Sequence, residues 1–73
     1  MDSSQETLND VEKRVLAFEK RTWRSSGEKE QAIIENFDFG VIGYYQLLFH
    51  LLDDRRANAL EPVLMKRLRA SLK

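Results

Sequence analysis

The sequence contains no cysteine, and this absence excludes several classes of protein. Without cysteine the chain cannot be a small secreted domain that depends on disulfide bonds. It has a single histidine, His50, so a zinc site built from sulfur and imidazole ligands is excluded as well. We therefore expect no metal ion and no cofactor, and the composition fits a cytoplasmic protein.

Long apolar runs are also missing. The most apolar stretch, VIGYYQLLFHLL at residues 41–52, has 12 residues, whereas a membrane-spanning helix needs about 20. The first ten residues, MDSSQETLND, are polar and acidic and lack the basic and apolar regions of a secretory signal. We expect neither a signal peptide nor a membrane segment.

Recognisable catalytic motifs are absent too. The chain has no glycine-rich phosphate loop, no nucleophile elbow and no pair of histidines at helical spacing. Sequence spacing supplies no partner that would make His50 a general base. The adjacent acids Asp53 and Asp54 lack the further groups that metal binding or acid–base catalysis requires. We predict a non-enzymatic protein without a small-molecule substrate.

Charge is balanced overall but unevenly distributed. The formal net charge is zero, yet residues 1–54 hold six basic and 11 acidic residues, and residues 55–73 hold six basic residues against one acid. A basic C-terminal segment is typical of contact with nucleic acid. The same asymmetry also suits two charged ends that pair within the fold or across a dimer.

Helical periodicity dominates what the sequence does contain, and at 73 residues the chain fits one domain. We predict an all-α fold, a compact bundle of three to four helices over residues 9–73, after a flexible N-terminus at residues 1–8. Start signals at Asn9, Ser25 and Pro62 help to define the elements. The predicted elements are a first helix at about 10–24, with Trp23 as a core anchor, helices at about 27–37 and 41–52, a short turn at 55–60, and a last helix from 62.

The predicted helix at 41–52 is apolar on both faces. One face combines Tyr44, Leu47, Leu48, Leu51 and Leu52, and it is expected to lie in the core. The opposite face carries Ile42, Tyr45, Gln46 and Phe49. This second face is either covered by another helix of the fold or available to a partner.

One hypothesis for this second face is DNA binding. The segments 27–37 and 41–52 have the spacing of a helix-turn-helix unit. On the second segment Gln46 is the one typical base-reading side chain, and Tyr45 would contact a phosphate through its hydroxyl. The cations that phosphate binding needs would come from residues outside this helix, namely Arg55, Arg56, Lys66, Arg67 and Arg69.

The alternative hypothesis is protein–protein interaction or homodimerisation. In this interpretation Ile42, Tyr45 and Phe49 form an apolar patch that binds a second copy or another protein. The helix-turn-helix spacing favours the first hypothesis, and the apolar face and zero net charge favour the second.

The chain from residue 18 to residue 69 resembles a family of small actinobacterial proteins of unknown function. The resemblance is carried by Phe18-Glu19, Trp23, a GxKExAI run from Gly27 to Ile33, a YYxxL run with Tyr44-Tyr45, and PxLxxRLR from Pro62 to Arg69. It implies an actinobacterial or actinophage source and a helix-turn-helix-like fold. It implies no catalytic residue and no cofactor.

Three departures from that family pattern bear on function. The chain has Gly40, Gly43 and Phe49 where the family tends to have Ser, Arg and Asn. Each departure removes a polar group that could contact DNA, and Phe49 adds apolar surface. The departures therefore weaken the DNA-binding hypothesis for this helix.

Overall fold

The structure is a computed structural model that describes residues 7–72, and these residues form five helices and no strand. The predicted all-α fold is confirmed, and the segment at 55–60 forms a short helix of its own. Residues 1–6 of the predicted flexible N-terminus lie outside the described residues. The helices are α1 (Asp10–Glu19), α2 (Ser26–Asn36), α3 (Gly40–Leu52), α4 (Arg55–Leu60) and α5 (Pro62–Leu72).

Side-chain caps start three of these helices. At α1, the Glu12 amide donates to Asn9 Oδ1 over 2.8 Å and the Asn9 amide donates to Glu12 Oε1 over 2.9 Å, which is a complete capping box. Ser25 accepts from the Glu28 amide at α2. Asp54 accepts from the Arg56 and Ala57 amides at α4.

The N-terminal boundary of the domain lies earlier than predicted. Leu8, which the sequence analysis assigned to the flexible N-terminus, is 4% exposed and belongs to the hydrophobic core. Burial of an isobutyl side chain is favourable enough to fix the chain just before the α1 cap. The hydrophobic core therefore includes Leu8, although the residues around it in the sequence are polar.

The first helix is shorter than predicted, because it ends at Glu19 and not at Arg24. After the end of α1 the chain turns so that Trp23 contacts Phe18, with 4.9 Å between ring centroids. The Arg24 amide donates to Glu28 Oε1 of α2 over 2.7 Å, and not to a carbonyl of α1. Tertiary contacts with Phe18 and with α2 thus outweigh the helical periodicity of residues 20–24. Trp23 is half-buried against the core, as an anchor should be.

Helix α3 lies at the centre of the fold and contacts each of the other four helices. Its inner side chains Tyr44, Leu48, Leu51 and Leu52 are buried. Gly40, its first residue, has a φ of +73°, a conformation that glycine adopts without the strain of a side chain. The predicted core face of this helix is confirmed, and its other face remains the main candidate for function.

Candidate functional site

The outward side of α3 carries a row of exposed side chains that we call the α3 stripe, consisting of Phe39, Ile42, Gln46 and Phe49. Ile42 is 76% exposed, Phe49 is 47% exposed and Phe39 is 40% exposed, and Gln46 is also exposed. Their spacing of three or four residues places them on one side of the helix. No helix of residues 7–72 covers this row, which leaves three large apolar groups in contact with water.

The N-terminal end of the α3 stripe depends on Gly43. A Cβ atom at this position would lie 2.9 Å from the Cβ of Phe39, which is closer than real Cβ contacts. The missing side chain therefore lets Phe39 lie against the first turn of α3. The Phe39 ring also stacks on Phe37, with 5.4 Å between centroids and 29° between planes. The geometry at Gly43 gives this glycine a structural role that the sequence alone did not suggest.

Tyr45 belongs only partly to this exposed side. Its ring is half-buried and contacts Tyr44, with centroids 5.3 Å apart. The Lys29 ammonium of α2 lies 5.6 Å from the centroid of the same ring. Of the three residues predicted to bind a partner, Ile42 and Phe49 are the more accessible, because Tyr45 is half-buried.

Two of the arginines predicted to contact phosphate are engaged within the fold. Arg56 donates to Asp54 Oδ2 over 2.8 Å, to the Thr7 carbonyl over 3.0 Å and to Glu12 Oε2 over 3.5 Å. Arg69 donates to the side-chain carbonyl of Asn58. Both guanidinium groups therefore connect helices, and a phosphate would have to share them.

The Asp54–Arg56 pair is also an electrostatic unit. The hydrogen bonds from the Arg56 side chain, helped by the capped amides of Arg56 and Ala57, lower the pKa of Asp54 to about 2. The same bond raises the pKa of Arg56. Asp54 thus remains ionised in the folded protein well below the usual pH range of a carboxylic acid.

The other three predicted phosphate ligands are accessible. Arg55, Lys66 and Arg67 have exposed side chains, and within residues 7–72 none of them forms an ion pair. They are free to meet an anion, but none lies on α3, so the α3 stripe itself carries no cation.

A polar cluster that the sequence analysis missed joins the first three helices. The Tyr44 hydroxyl donates to Glu19, and Lys29 Nζ lies 2.9 Å from Glu19 Oε2 and 3.0 Å from Oε1. The Glu19 side chain is only 5% exposed. Burial, reinforced by the hydrogen bond to Glu19, raises the pKa of Tyr44 far above its ordinary value. Because every member of the cluster has a partner, we regard it as structural.

A second feature missed at the sequence level is an open groove beside α1, with Arg14 and Arg21 among the residues that line it. The only signal for it was the spacing Arg14-x-x-Ala17-x-x-x-Arg21, which places these residues on one side of a helix. The sequence could not show that Phe37 of α2 lies next to that side.

Two further properties concern the described part of the chain. Residues 7–72 contain no group of three or more histidine or acidic side chains that could hold a metal ion. No helix formed by these residues is both long and apolar enough to cross a membrane.

Comparison with known proteins identifies one family. A family model described as "Protein of unknown function (DUF3263)" matches residues 7–71. No curated protein and no solved structure gives a significant match.

Proposed function

The chain belongs to the DUF3263 family of proteins of unknown function, and from this premise we propose that it is a non-enzymatic module that dimerises through the α3 stripe. The supporting observation is that Phe39, Ile42 and Phe49 are exposed along one side of the central helix. Apolar groups of this size are normally buried, so a cluster of them on a surface marks an interaction site.

A second copy of the chain is the partner that the α3 stripe fits best. In a symmetric pair each surface meets an identical one, so residue i contacts residue j and the reverse contact also forms. Two antiparallel α3 helices centred on Gln46 would bring Ile42 of each copy near Phe49 of the other. The Gln46 amide has both donors and acceptors, so it can bond to the same amide of the second copy.

The charges at the two ends of α3 support the same arrangement. Asp38 is exposed before the helix and Arg55 is exposed after it. In an antiparallel pair, Asp38 of each copy lies towards the end where the other copy carries Arg55. The formal net charge of zero also means that no long-range repulsion keeps two copies apart.

Analytical sedimentation of the pure protein over a range of concentrations tests this proposal. We expect a reversible dimer, and we expect Phe49→Lys to make the protein monomeric while its helical circular dichroism is unchanged. Val63→Lys is the matched control, because it places the same charge at an exposed apolar residue outside the α3 stripe. A wild-type protein that is monomeric throughout, or a dimer unaffected by Phe49→Lys, would contradict the proposal.

DNA binding is the second candidate function, and the exposed cations Arg55, Lys66 and Arg67 favour it. With α2 and α3 at helix-turn-helix spacing, these three groups would contact phosphates and Gln46 would contact a base edge. Arg56 and Arg69 would contribute less, because each already has a partner within the fold. For either candidate function we propose an actinobacterial or actinophage source and a cytoplasmic location.

Sedimentation with a random-sequence DNA duplex at low salt decides whether this second function exists. If it does, Arg55→Gln with Arg67→Gln should weaken binding to all sequences and reduce the slope of log K against log salt by about 2. The control pair Lys13→Gln with Arg24→Gln removes equal charge from exposed positions elsewhere. A duplex that causes no shift at low salt excludes DNA binding.

A further inference from the structure

The groove beside α1 is a second candidate binding surface, and none of its residues belongs to the α3 stripe. It is open to solvent and has a volume of about 200 Å³. Two of the side chains that line it are cationic, and none is acidic. The lining residues are Arg14, Ala17, Phe18, Arg21, Asn36 and Phe37.

Both arginines are held in place by aromatic rings. The Arg14 guanidinium lies 4.9 Å from the centroid of Phe37 and donates to the Asn36 carbonyl over 2.6 Å. The Arg21 guanidinium lies 4.5 Å from the centroid of Trp23. Each guanidinium has five N–H donors, so most remain available. Within residues 7–72 neither arginine forms an ion pair. A ligand anion would therefore meet two positioned and unneutralised cations.

The floor of the groove is apolar but offers no open face for a nucleic acid base. The Phe37 ring has Arg14 over it and is stacked on Phe39. Phe18 contacts Trp23, with centroids 4.9 Å apart, and has Arg21 5.4 Å from its own centroid. Base stacking requires an exposed aromatic face. Phe18 and Phe37 are only 5% and 6% exposed, so the accessible apolar surface lies at the exposed Ala17 and suits a small aliphatic group.

From this geometry we propose that the groove binds an acidic helical segment of another protein. Carboxylates of the segment pair with Arg14 and Arg21, and an aliphatic side chain between them lies over Ala17. Arg14 lies on α1, and Arg21 directly follows the C-cap Lys20, whose φ of −79° and ψ of −15° continue the right-handed turn, so the two backbone positions are about two helical turns apart. Acidic residues at positions i and i+7 of a helical ligand have the same separation, with room for a leucine at i+3 or i+4.

The first test measures the binding of a labelled helical peptide by fluorescence anisotropy. The peptide carries glutamates at i and i+7 and leucine at i+4, and a second peptide replaces both glutamates with glutamine. We expect the acidic peptide to bind at least about tenfold more tightly, because charge-assisted bonds to arginine are lost in the other. Equal affinity for both peptides, or no binding of either, overturns the proposal.

Variants of the protein locate the binding. Arg14→Gln with Arg21→Gln should weaken binding of the acidic peptide by at least about tenfold, whereas Lys13→Gln with Arg24→Gln should change it by less than about threefold because these exposed cations lie outside the groove. An equal effect of both pairs shows diffuse attraction and contradicts a defined site.

A second variant keeps the test decisive if the arginine variant loses its fold. Ala17→Glu is at an exposed helical position among the lining residues, and its carboxylate would pair with Arg14 at i−3. We expect unchanged helicity and loss of peptide binding. Trp23, the only tryptophan, reports directly on the wild-type groove, because a ligand at Arg21 should alter its fluorescence. A folded Ala17→Glu protein that binds the peptide normally overturns the proposal.

Nucleic acid is examined under the same conditions with an oligothymidylate and with the random-sequence duplex. If either binds through Arg14 and Arg21 while the acidic peptide does not, the groove is a phosphate site and the peptide proposal is wrong. At a protein concentration low enough for the wild type to be monomeric, Phe49→Lys should leave peptide binding unchanged, so failure of dimerisation and failure of peptide binding are separate results.

Discussion

The Tyr44 hydroxyl of α3 donates a hydrogen bond to the carboxylate of Glu19, which lies 25 positions earlier at the end of α1. Lys29 of α2 binds the same carboxylate. This single buried acid therefore connects the three helices that carry both candidate surfaces. Removing one member of such a cluster leaves the others with an unpaired polar group away from water, which is destabilising.

The Tyr44–Glu19 bond gives a prediction about alkaline stability. Tyr44→Phe should lower the free energy of unfolding at pH 7 by about 1–3 kcal/mol. Because the fold raises the pKa of Tyr44, its stabilisation is complete below the ordinary tyrosine pKa of about 10 and is lost as pH rises above that value. Urea unfolding from pH 7 to pH 11 should show a steep decline for the wild type and a shallower one for the variant.

Tyr45→Phe is the matched control for this prediction, because it removes the neighbouring hydroxyl and leaves the bond to Glu19 intact. The Tyr45→Phe protein should lose stability with rising pH as steeply as the wild type does. An equally steep decline in Tyr44→Phe would show that the alkaline transition has another origin.

The Asp54–Arg56 pair gives a prediction about acid stability. The folded-state pKa of Asp54 is about 2, below the ordinary 3.8. Its contribution is therefore present above pH 4 and is lost as pH falls towards 2. Asp54→Asn keeps a good helix-capping side chain but removes the charge. We expect the substitution to lower the free energy of unfolding at pH 7 by about 1 kcal/mol. We also expect the variant to lose less stability than the wild type as pH falls from 4 towards 2.

Thermal unfolding measured between pH 2 and pH 7 checks the acid prediction. Asp38→Asn, at an exposed turn residue, is the control and should retain the wild-type profile because Asp54 and Arg56 are untouched. A wild-type and an Asp54→Asn protein with parallel profiles would contradict the assignment.

Two glycine positions should respond in opposite ways to alanine. Gly27→Ala lies in α2, where the nearest atom to a new Cβ is Ser25 Oγ at 3.9 Å, so we expect stabilisation by about 0.5–1 kcal/mol. Gly43→Ala has the same helical advantage but would meet the Cβ of Phe39 at 2.9 Å. We expect Phe39 and its backbone to shift and the stabilisation to disappear. Urea midpoints of the two variants measure the difference, and equal stabilisation would show that Phe39 moves freely.

The contrast between the two faces of α3 can be measured with truncations. Leu48→Ala removes a fully buried side chain and should lower the free energy of unfolding by about 2–5 kcal/mol. Ile42→Ala removes a side chain that is 76% exposed and should change it by less than about 0.5 kcal/mol in the monomer. Chemical denaturation at low protein concentration gives both values. A large loss for Ile42→Ala would mean that the α3 stripe is covered within the monomer.

Features that depend on neighbouring residues were predictable from the sequence. The caps at Asn9 and Ser25 identify helix starts because their hydrogen bonds span only three residues. The core face of α3 followed from its periodicity for the same reason. The end of α1 was predicted wrongly, because the contact of Trp23 with Phe18 depends on how the chain turns after the helix.

Contacts between distant residues were not predictable. A count of basic residues placed Arg56 among the phosphate ligands, but its partners Thr7 and Glu12 lie more than 40 positions away. Glu19, Lys29 and Tyr44 each looked like ordinary helical residues until packing brought them together. Arg14 and Arg21 form a candidate surface because Phe37 of α2 lies beside them, a contact between helices that the sequence does not show.

The stacked rings of Phe37 and Phe39 join the floor of the groove to the first residue of the α3 stripe. A ligand in the groove would restrain one ring of this pair, and a second copy on the α3 stripe would restrain the other. Thermodynamic linkage then requires reciprocity, since any factor by which peptide binding changes the dimerisation constant must equal the factor by which dimerisation changes peptide affinity. Peptide binding and dimerisation would in that case be coupled through one pair of aromatic side chains.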